Sequence, residues 1–486
     1  MRKKQTKIVT TISDIRCEVE FLRKLHDEGM NVVRCNTAHM TTDSINAIAV
    51  NTRKVSDKIA ILVDTKGPEI RTCMGENPIV FEAGKTIRVK GDPKGNSTAE
   101  ILYVSYEGFV NDLSVGNQIL IDDGDISLRV KEKKADELVC TIENSGSIDT
   151  LVDNVRRAGR KSVNVPGVST KLPSLTEKDK SFVLWAIENK IDFIAHSFVR
   201  SKADVKEIQD ILDAHNSPIK IIAKIENQEG VNNIDEILEC VYGVMVARGD
   251  LGIEVPCERI PLIQRQLIRK CVEAKRPVIV ATQMLHTMIK NPRPTRAEVT
   301  DIANAIYYRT DAIMLSGETT YGKYPVECVQ TMTKIANVVE PAKDSRNDIP
   351  VPHVNGEISA YLAETAVGAS RELPIKAILT DSFTGKTARY LAAFRSPVPV
   401  YALCYEPRVA RELALSYGVY AEIIGDGRTK PEALRSTVEQ LLGNDEIGLS
   451  DLVAYIGGNN GVGGGTTFLE IVTVEKLLKK IDTFID

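Results

Sequence analysis

The chain shows two hydrophobic periods in alternation. Short runs rich in β-branched and aliphatic residues predict strands. Between them, apolar residues spaced three and four apart predict amphipathic helices. The predicted strands are Thr6–Ile12, Asn31–Thr37, Lys58–Lys66, Asp192–Phe198, Ile219–Glu226, Gly243–Arg248, Pro277–Thr282 and Asp311–Ser316. Helical stretches such as EVEFLRKLHDEG, ADVKEIQDILDAH and PLIQRQLIRKCVEAK fall between them. This is α/β patterning of the parallel kind. Eight successive units fit a closed (β/α)8 TIM barrel better than an open sheet.

Two segments break the alternation. Residues 68–162 contain VFEAGKTIRVKGDP and VGNQILIDDGDISLRVKEKKADELVCTIENSG, short strands cut by Gly, Asp and Asn. They predict a small all-β domain inserted after the third strand. An insertion at that strand's C-terminal end stands over the usual active-site face, where it would act as a lid. The second segment is 344–486. It opens with the polar, Pro-containing linker PAKDSRNDIPVPHVNG, then alternates helical sequence with the strands AILTD, VPVYALC and LVAYIGG. That predicts a separate open α/β domain. The barrel itself would comprise residues 1–67 and 163–343.

Composition narrows the function classes. Lys+Arg number 62 against 66 Asp+Glu, a net charge of -4 that gives no footprint for nucleic acid. The basic start MRKKQTKIVTTIS is not followed by a continuous apolar stretch, so it does not read as a secretory signal. No run of apolar residues is long enough to predict a membrane span. The nine Cys are scattered without a C-x-x-C pair, which leads us to expect a reducing, cytoplasmic setting. None of the six His is spaced for zinc.

Chemistry collects at the predicted strand ends. Residues two apart on a strand share a face. Such pairs are Arg34/Asn36, Asp64/Lys66, Lys224/Glu226, Arg248/Asp250 and Ser316/Glu318, and Thr282 closes the seventh strand. A single pair would read equally well as a structural ion pair, but five around one barrel mouth point to a site. Glu226 and Asp250 on adjacent strands suit Mg²⁺ or Mn²⁺, hard ions that prefer oxygen. Arg34, Arg71, Lys66, Lys224 and Arg248 supply positive charge. Cations beside a carboxylate-held metal suit phosphoryl transfer, where catalysis is mostly positioning and charge stabilisation. A barrel lyase or aldolase acting through a metal-bound enolate would use the same carboxylates. A non-catalytic metabolite sensor that kept the fold is the third reading.

The segment IIAKIENQEGV resembles the active-site signature of the pyruvate kinase family, with its lysine at Lys224. Around it stand DTKGPEIRT (64–72), MVARGDLGIEVP (245–256), ATQML (281–285), NPRPTRAEVTDIANA (291–305) and IMLSGETTYGKYP (313–325), in family order. The resemblance spans nearly the whole chain. It implies a cytoplasmic, glycolytic transferase that moves the phosphoryl group of phosphoenolpyruvate to ADP, giving pyruvate and ATP, in a homotetramer under allosteric control. By it, Lys224 and Arg34 would face the transferring phosphate, and Glu226 and Asp250 would bind Mg²⁺. Backbone amides of Ala247, Arg248 and Gly249, with Asp250 and Thr282, would surround the substrate. Thr282 would lie near the face where the enolate is protonated. Arg71, His39 and Asn36 would lie toward the nucleotide. Asn36, Asp64 and the Thr65 carbonyl would hold K⁺.

The chain departs from the family at Arg34-Cys35-Asn36-Thr37-Ala38-His39-Met40, where R-x-N-x-S-H-G is usual. Ala38 removes a hydroxyl that would ligate K⁺, and Met40 replaces a glycine. The stretch Ile306–Thr310 also departs from the usual small-residue turn. SFTGKT (382–387) lacks the first glycine of a P-loop, with Thr380 in its place. Its strand–loop–helix setting still suits anion capture. The resemblance places a phosphorylated effector on Ser382, Thr384, Gly385, Lys386 and Thr387. Gly457–Gly465 has no G-x-G-x-x-G spacing and reads as a loop.

Overall fold

The computed structural model describes residues 3–152, 155–342, 356–424, 428–458 and 465–485. The linker expected at 341–356 and the Gly-rich stretch 457–465 fall largely outside them.

The closed barrel contains the eight strands expected from the pattern. In chain order they are Lys7–Thr11, Val32–Asn36, Ala60–Asp64, Phe193–His196, Lys220–Ile225, Gly243–Ala247, Val278–Ala281 and Ala312–Leu315. Pairing is parallel throughout, and the first strand closes against the eighth with Lys7 opposite Ala312. Burial on both faces explains why these strands read as unbroken apolar runs. Alternate residues serve two cores. One set, including Ile8, Val33, Ile61 and Ile221, packs outward on the helices. The other, including Val32, Leu62, Ala195, Ile222 and Met245, fills the barrel interior. The inward face changes character along each strand. Two residues beyond Val32, Leu62, Ala195 and Ile222 stand Arg34, Asp64, Ser197 and Lys224. Period-two geometry therefore sets a polar ring directly above an apolar plug.

The inserted domain leaves after the third strand. Its main sheet runs, from edge to edge, Ile70–Arg71, Ser162–Asn164, Gln118–Ile121, Ile126–Lys133, Leu138–Ile142, Thr86–Gly91 and Ile101–Val104. A bridge from Thr72 to Val104 ties the two edges, so no long edge is left open. The strand Ser162–Asn164 pairs with both Ile70–Arg71 and Gln118–Ile121. It thus carries the domain past the boundary at 162 that composition indicated. The chain then re-enters the barrel helix Glu177–Glu188. Thr176 caps that helix in a reciprocal box with Asp179, whose carboxylate also accepts from the Lys66 amide at 2.9 Å.

The C-terminal sheet has the order Val419–Ile423, Val400–Cys404, Ile375–Ser382, Leu452–Gly457, Phe468–Thr473. The last strand is antiparallel to its neighbour and the rest are parallel. The domain docks on the N-terminal end of the barrel, away from the polar ring. Leu415 is fully buried in the interior plug. Arg395 meets Asp311 through two contacts of 3.0 Å, and Arg411 meets Asp192 at 2.6 Å. Asp311 also accepts from the Tyr417 and Val278 amides. The bidentate pair is almost fully buried, so deleting one partner strands the other charge. Arg395→Met is expected to cost about 3–5 kcal/mol. The urea-unfolding midpoint reads this, and an unchanged midpoint would contradict the role given to the pair.

Candidate active site at the barrel rim

The ring is built around Asp64, which is fully buried at the end of the third strand. Arg34, its neighbour on the second strand, reaches it through Nε at 2.6 Å, and Lys224 on the fifth strand reaches it at 3.2 Å. Lys224 Nζ lies 2.9 Å from Glu226 Oε1 and donates to Ser197 Oγ at 2.8 Å. Arg34 also donates to Thr11 Oγ1 at 2.9 Å. Three strands, the second, third and fifth, thus contribute to one ladder of alternating charge: Arg34, Asp64, Lys224, Glu226. Burial works against the charged form of each member, and the opposite charges decide the outcome. Burial would raise Asp64, but Arg34 and Lys224 outweigh it and hold the carboxyl below its usual range. Burial would lower Lys224, but Asp64 and Glu226 outweigh it and hold the ammonium above the usual lysine range.

Glu226 is the exception. Burial, aided by the negative charge of Asp250, works against Lys224 and raises its carboxyl above the usual carboxylate range. Its Oε2 accepts from the Phe198 amide at 2.7 Å. Its Oε1 has only the charge contact to Lys224 and makes no well-formed hydrogen bond. Glu226, with an oxygen left over and the negative charge of Asp250 nearby, forms with Asp250 a donor set that a hard divalent cation fits. Among the described residues, no group of three or more His, Cys, Asp or Glu gathers for a metal, so the protein's share of such a site is two carboxylates. Two carboxylates leave most coordination positions to substrate and water, the pattern Mg²⁺ favours.

The sixth and seventh strands supply the opposite wall. Thr282 follows the seventh strand with φ +69°, a costly conformation for a β-branched residue. Three bonds over-determine it. Its hydroxyl donates to the Ala281 carbonyl at 2.6 Å and accepts from the Gly249 amide at 2.8 Å, and the Arg248 guanidinium holds its carbonyl. Arg248 therefore does not offer its charge to the mouth. It pairs with Asp301 at 2.6 Å and braces the Thr282 turn. Glu318 likewise turns away from the mouth chemistry. It is buried and accepts from the Leu285 and Ser316 amides, so it is a structural carboxylate.

Asn36 stands opposite Asp64 in the strand register, and its side chain accepts from the Ala38 amide at 3.1 Å. The Thr65 carbonyl accepts from Ser197 at 2.6 Å. The residues expected to hold a monovalent cation are therefore adjacent, without the hydroxyl missing at Ala38. Met40 is buried in the barrel's outer core, which gives this glycine replacement a packing role. His39 is exposed on the turn. Arg71 lies on Glu69 at 2.8 Å, and Glu69 also meets Lys66 at 3.5 Å.

Between the rim and the inserted domain lies a cleft of about 540 Å³, lined by Arg71, Asn164, Phe198, Asp250 and Glu254 among others. Burial pushes Glu254 up to about 7, opposed by its hydrogen bond to Asn164. The effector-loop residues lie in the other domain. Gly385 adopts φ +75°, and its amide is taken by Ser382 Oγ at 3.0 Å. Thr387 is bonded to Thr466, and Lys386 lies 3.5 Å from Glu357. Ser197 and Phe198 carry no charge that spacing could mark, although they hold the same rim position on the fourth strand.

Comparison with known proteins agrees with this geometry. Family models described as "Pyruvate kinase, barrel domain" and "Pyruvate kinase, alpha/beta domain" match residues 3–329 and 361–472. A pyruvate kinase of Borreliella burgdorferi is 46% identical over 484 residues, covering 99% of both chains. One from Geobacillus stearothermophilus is 42% identical, covering 98% of this chain and 82% of its own. The crystal structure of a pyruvate kinase from Cryptosporidium parvum superposes with TM-score 0.89 at 35% identity, covering 97% of this chain and 96% of that one. The chain belongs to the pyruvate kinase family.

Proposed function

We propose that the charge ladder at the barrel rim performs the family's reaction, transfer of the phosphoryl group of phosphoenolpyruvate to ADP, with the following division of labour. Lys224 and Arg34 meet the transferring phosphoryl group. The observation that carries this is the Arg34–Asp64–Lys224–Glu226 ladder, in which two buried cations are kept charged beside the barrel mouth by the carboxylates between them. Glu226 and Asp250 would hold Mg²⁺ or Mn²⁺, which when bound supplies charge neutralisation at the substrate oxygens. The amides at Ala247, Arg248 and Gly249, with Thr282, would receive the substrate carboxylate, the Gly249 amide exchanging its bond to the Thr282 hydroxyl for the substrate. The Thr282 hydroxyl stands at the face where the enolate takes its proton. Arg71 would leave Glu69 for the nucleotide phosphates, with Asn36 and His39 beside it. The inserted domain covers the cleft and excludes water, which limits hydrolysis.

Asn36, Asp64 and the Thr65 carbonyl would hold K⁺ despite Ala38. The loop 382–387 would take a phosphorylated effector at the start of its helix. Its supports are the left-handed Gly385 and the exposed Lys386. Binding would have to displace the internal bonds of Ser382 and Lys386.

Lys224→Met removes a charge aimed at the transition state. In an ADP-dependent pyruvate assay it is expected to lower turnover by roughly a thousandfold or more, with phosphoenolpyruvate binding kept largely intact. Preserved turnover with lost affinity would refute the role. Wild-type activity is expected to collapse when K⁺ is withdrawn, and full activity in K⁺-free buffer would remove K⁺ from the account. A panel of sugar phosphates is expected to shift the phosphoenolpyruvate saturation curve of the wild type. No shift, or an undiminished one in Lys386→Ala, would exclude the effector loop.

A further inference from the structure

One residue of the ring has several bonds to it and no role in the reaction as described. Ser197 follows the fourth strand and is 1% exposed. Its hydroxyl proton goes to the Thr65 carbonyl at 2.6 Å, with Asp64 Oδ1 at a longer 3.3 Å. Its oxygen accepts from Lys224 Nζ at 2.8 Å. Its amide donates to Thr65 Oγ1 at 3.0 Å. The next amide, that of Phe198, donates to Glu226. A single two-residue turn therefore touches the phosphoryl-facing ammonium, one metal-facing carboxylate and a carbonyl proposed for K⁺.

The turn is clamped. Phe198 has φ +54°, which costs a bulky side chain energy unless its surroundings enforce it. Gly67 packs so closely that an added Cβ would come within 2.9 Å of Ser197 Cβ and 2.8 Å of Phe198 Cδ2. On the other side, a Cβ on Gly230 would come within 2.4 Å of the Val199 carbonyl oxygen. Two glycines at close approaches thus fix the turn's position.

Lys224 carries a long, flexible stem, and charge alone does not fix where its ammonium sits between Asp64 and Glu226. The hydroxyl of Ser197 adds a directional third acceptor. We infer that Ser197 is a positioning residue: it aims the Lys224 ammonium by accepting its hydrogen bond while anchored through its own proton to the Thr65 carbonyl. This rests on the reading of Lys224 as the phosphoryl-facing group. The anchor also links the K⁺ corner to Lys224, because a change at the Thr65 carbonyl reaches the ammonium through one hydroxyl.

The test compares wild type, Ser197→Ala, Ser197→Cys and Lys224→Met as full-length enzymes. Steady-state kinetics with varied K⁺ are measured together with Mn²⁺ binding by electron paramagnetic resonance without substrates. Ser197→Ala is expected to lower kcat by roughly tenfold or more, the scale of a lost hydrogen bond to a charged group. The KM for phosphoenolpyruvate is expected to change far less, and the K⁺ concentration giving half-maximal activity is expected to shift. Mn²⁺ affinity is expected to stay near wild type, because Glu226 keeps the Phe198 amide. Ser197→Cys, a weaker hydrogen-bonding group of similar shape, is expected to fall between wild type and Ala; it stands alone as the test should Ala not fold. Ser197 variants with wild-type kcat, or with kcat, KM and Mn²⁺ affinity all lost together, would overturn the inference. Lys224→Met separates the two failures. If it retains turnover, the underlying role of Lys224 falls; if it is inactive while the Ser197 variants are normal, only the positioning role falls.

Discussion

The buried carboxylate of Asp64, held between Arg34 and Lys224, is the interaction on which the rim depends. An isolated charge at that depth would be prohibitively costly, and a neutral Asp64 would leave two buried cations unbalanced. With both partners present, the carboxyl is held ionised, and it in turn holds Lys224 charged against burial. The arrangement stabilises its members only as a set. That is why second, third and fifth strands must meet in one register, with Asn36 opposite Asp64 and Ala195 opposite both Asp64 and Ala223's neighbour Ile222.

The rest of the molecule serves that register. The apolar interior plug fixes strand spacing below the ring, and Leu415 of the C-terminal domain completes the plug from the opposite end. Buried ion pairs at Asp311 and Asp192 bind that domain to the strands' N-terminal ends. The inserted domain leaves directly from the strand that carries Asp64. Left-handed residues at Phe198 and Thr282 concentrate backbone strain at the rim, each held by bonds to neighbouring strands.

The barrel was legible because parallel strands buried on both faces read as short apolar runs between amphipathic helices. The C-terminal strands Val419–Ile423 and Phe468–Thr473 did not stand out, since they are sheet edges with mixed polar sequence. Curling of the inserted sheet depends on the non-local bridge from Thr72 to Val104, which no local pattern encodes. At the site, spacing located faces but not partners. It gave Lys224, Glu226 and Asp64 as ring members. It also offered Arg248 and Glu318, whose side chains bond to Asp301 and to backbone amides instead. Ser197 is not legible in the sequence because a lone serine after a strand carries no charge signal, although its position two residues beyond Ala195 is the one that marks Lys224 two beyond Ile222.

The most direct test of the ladder is turnover of Asp64→Asn in the ADP-dependent pyruvate assay, with folding checked by circular dichroism. The change keeps size and hydrogen-bonding capacity but removes the one charge between Arg34 and Lys224. The account expects a folded protein with turnover reduced by roughly a hundredfold or more, since two phosphoryl-facing cations lose their common anchor. A folded Asp64→Asn enzyme with wild-type turnover would contradict it.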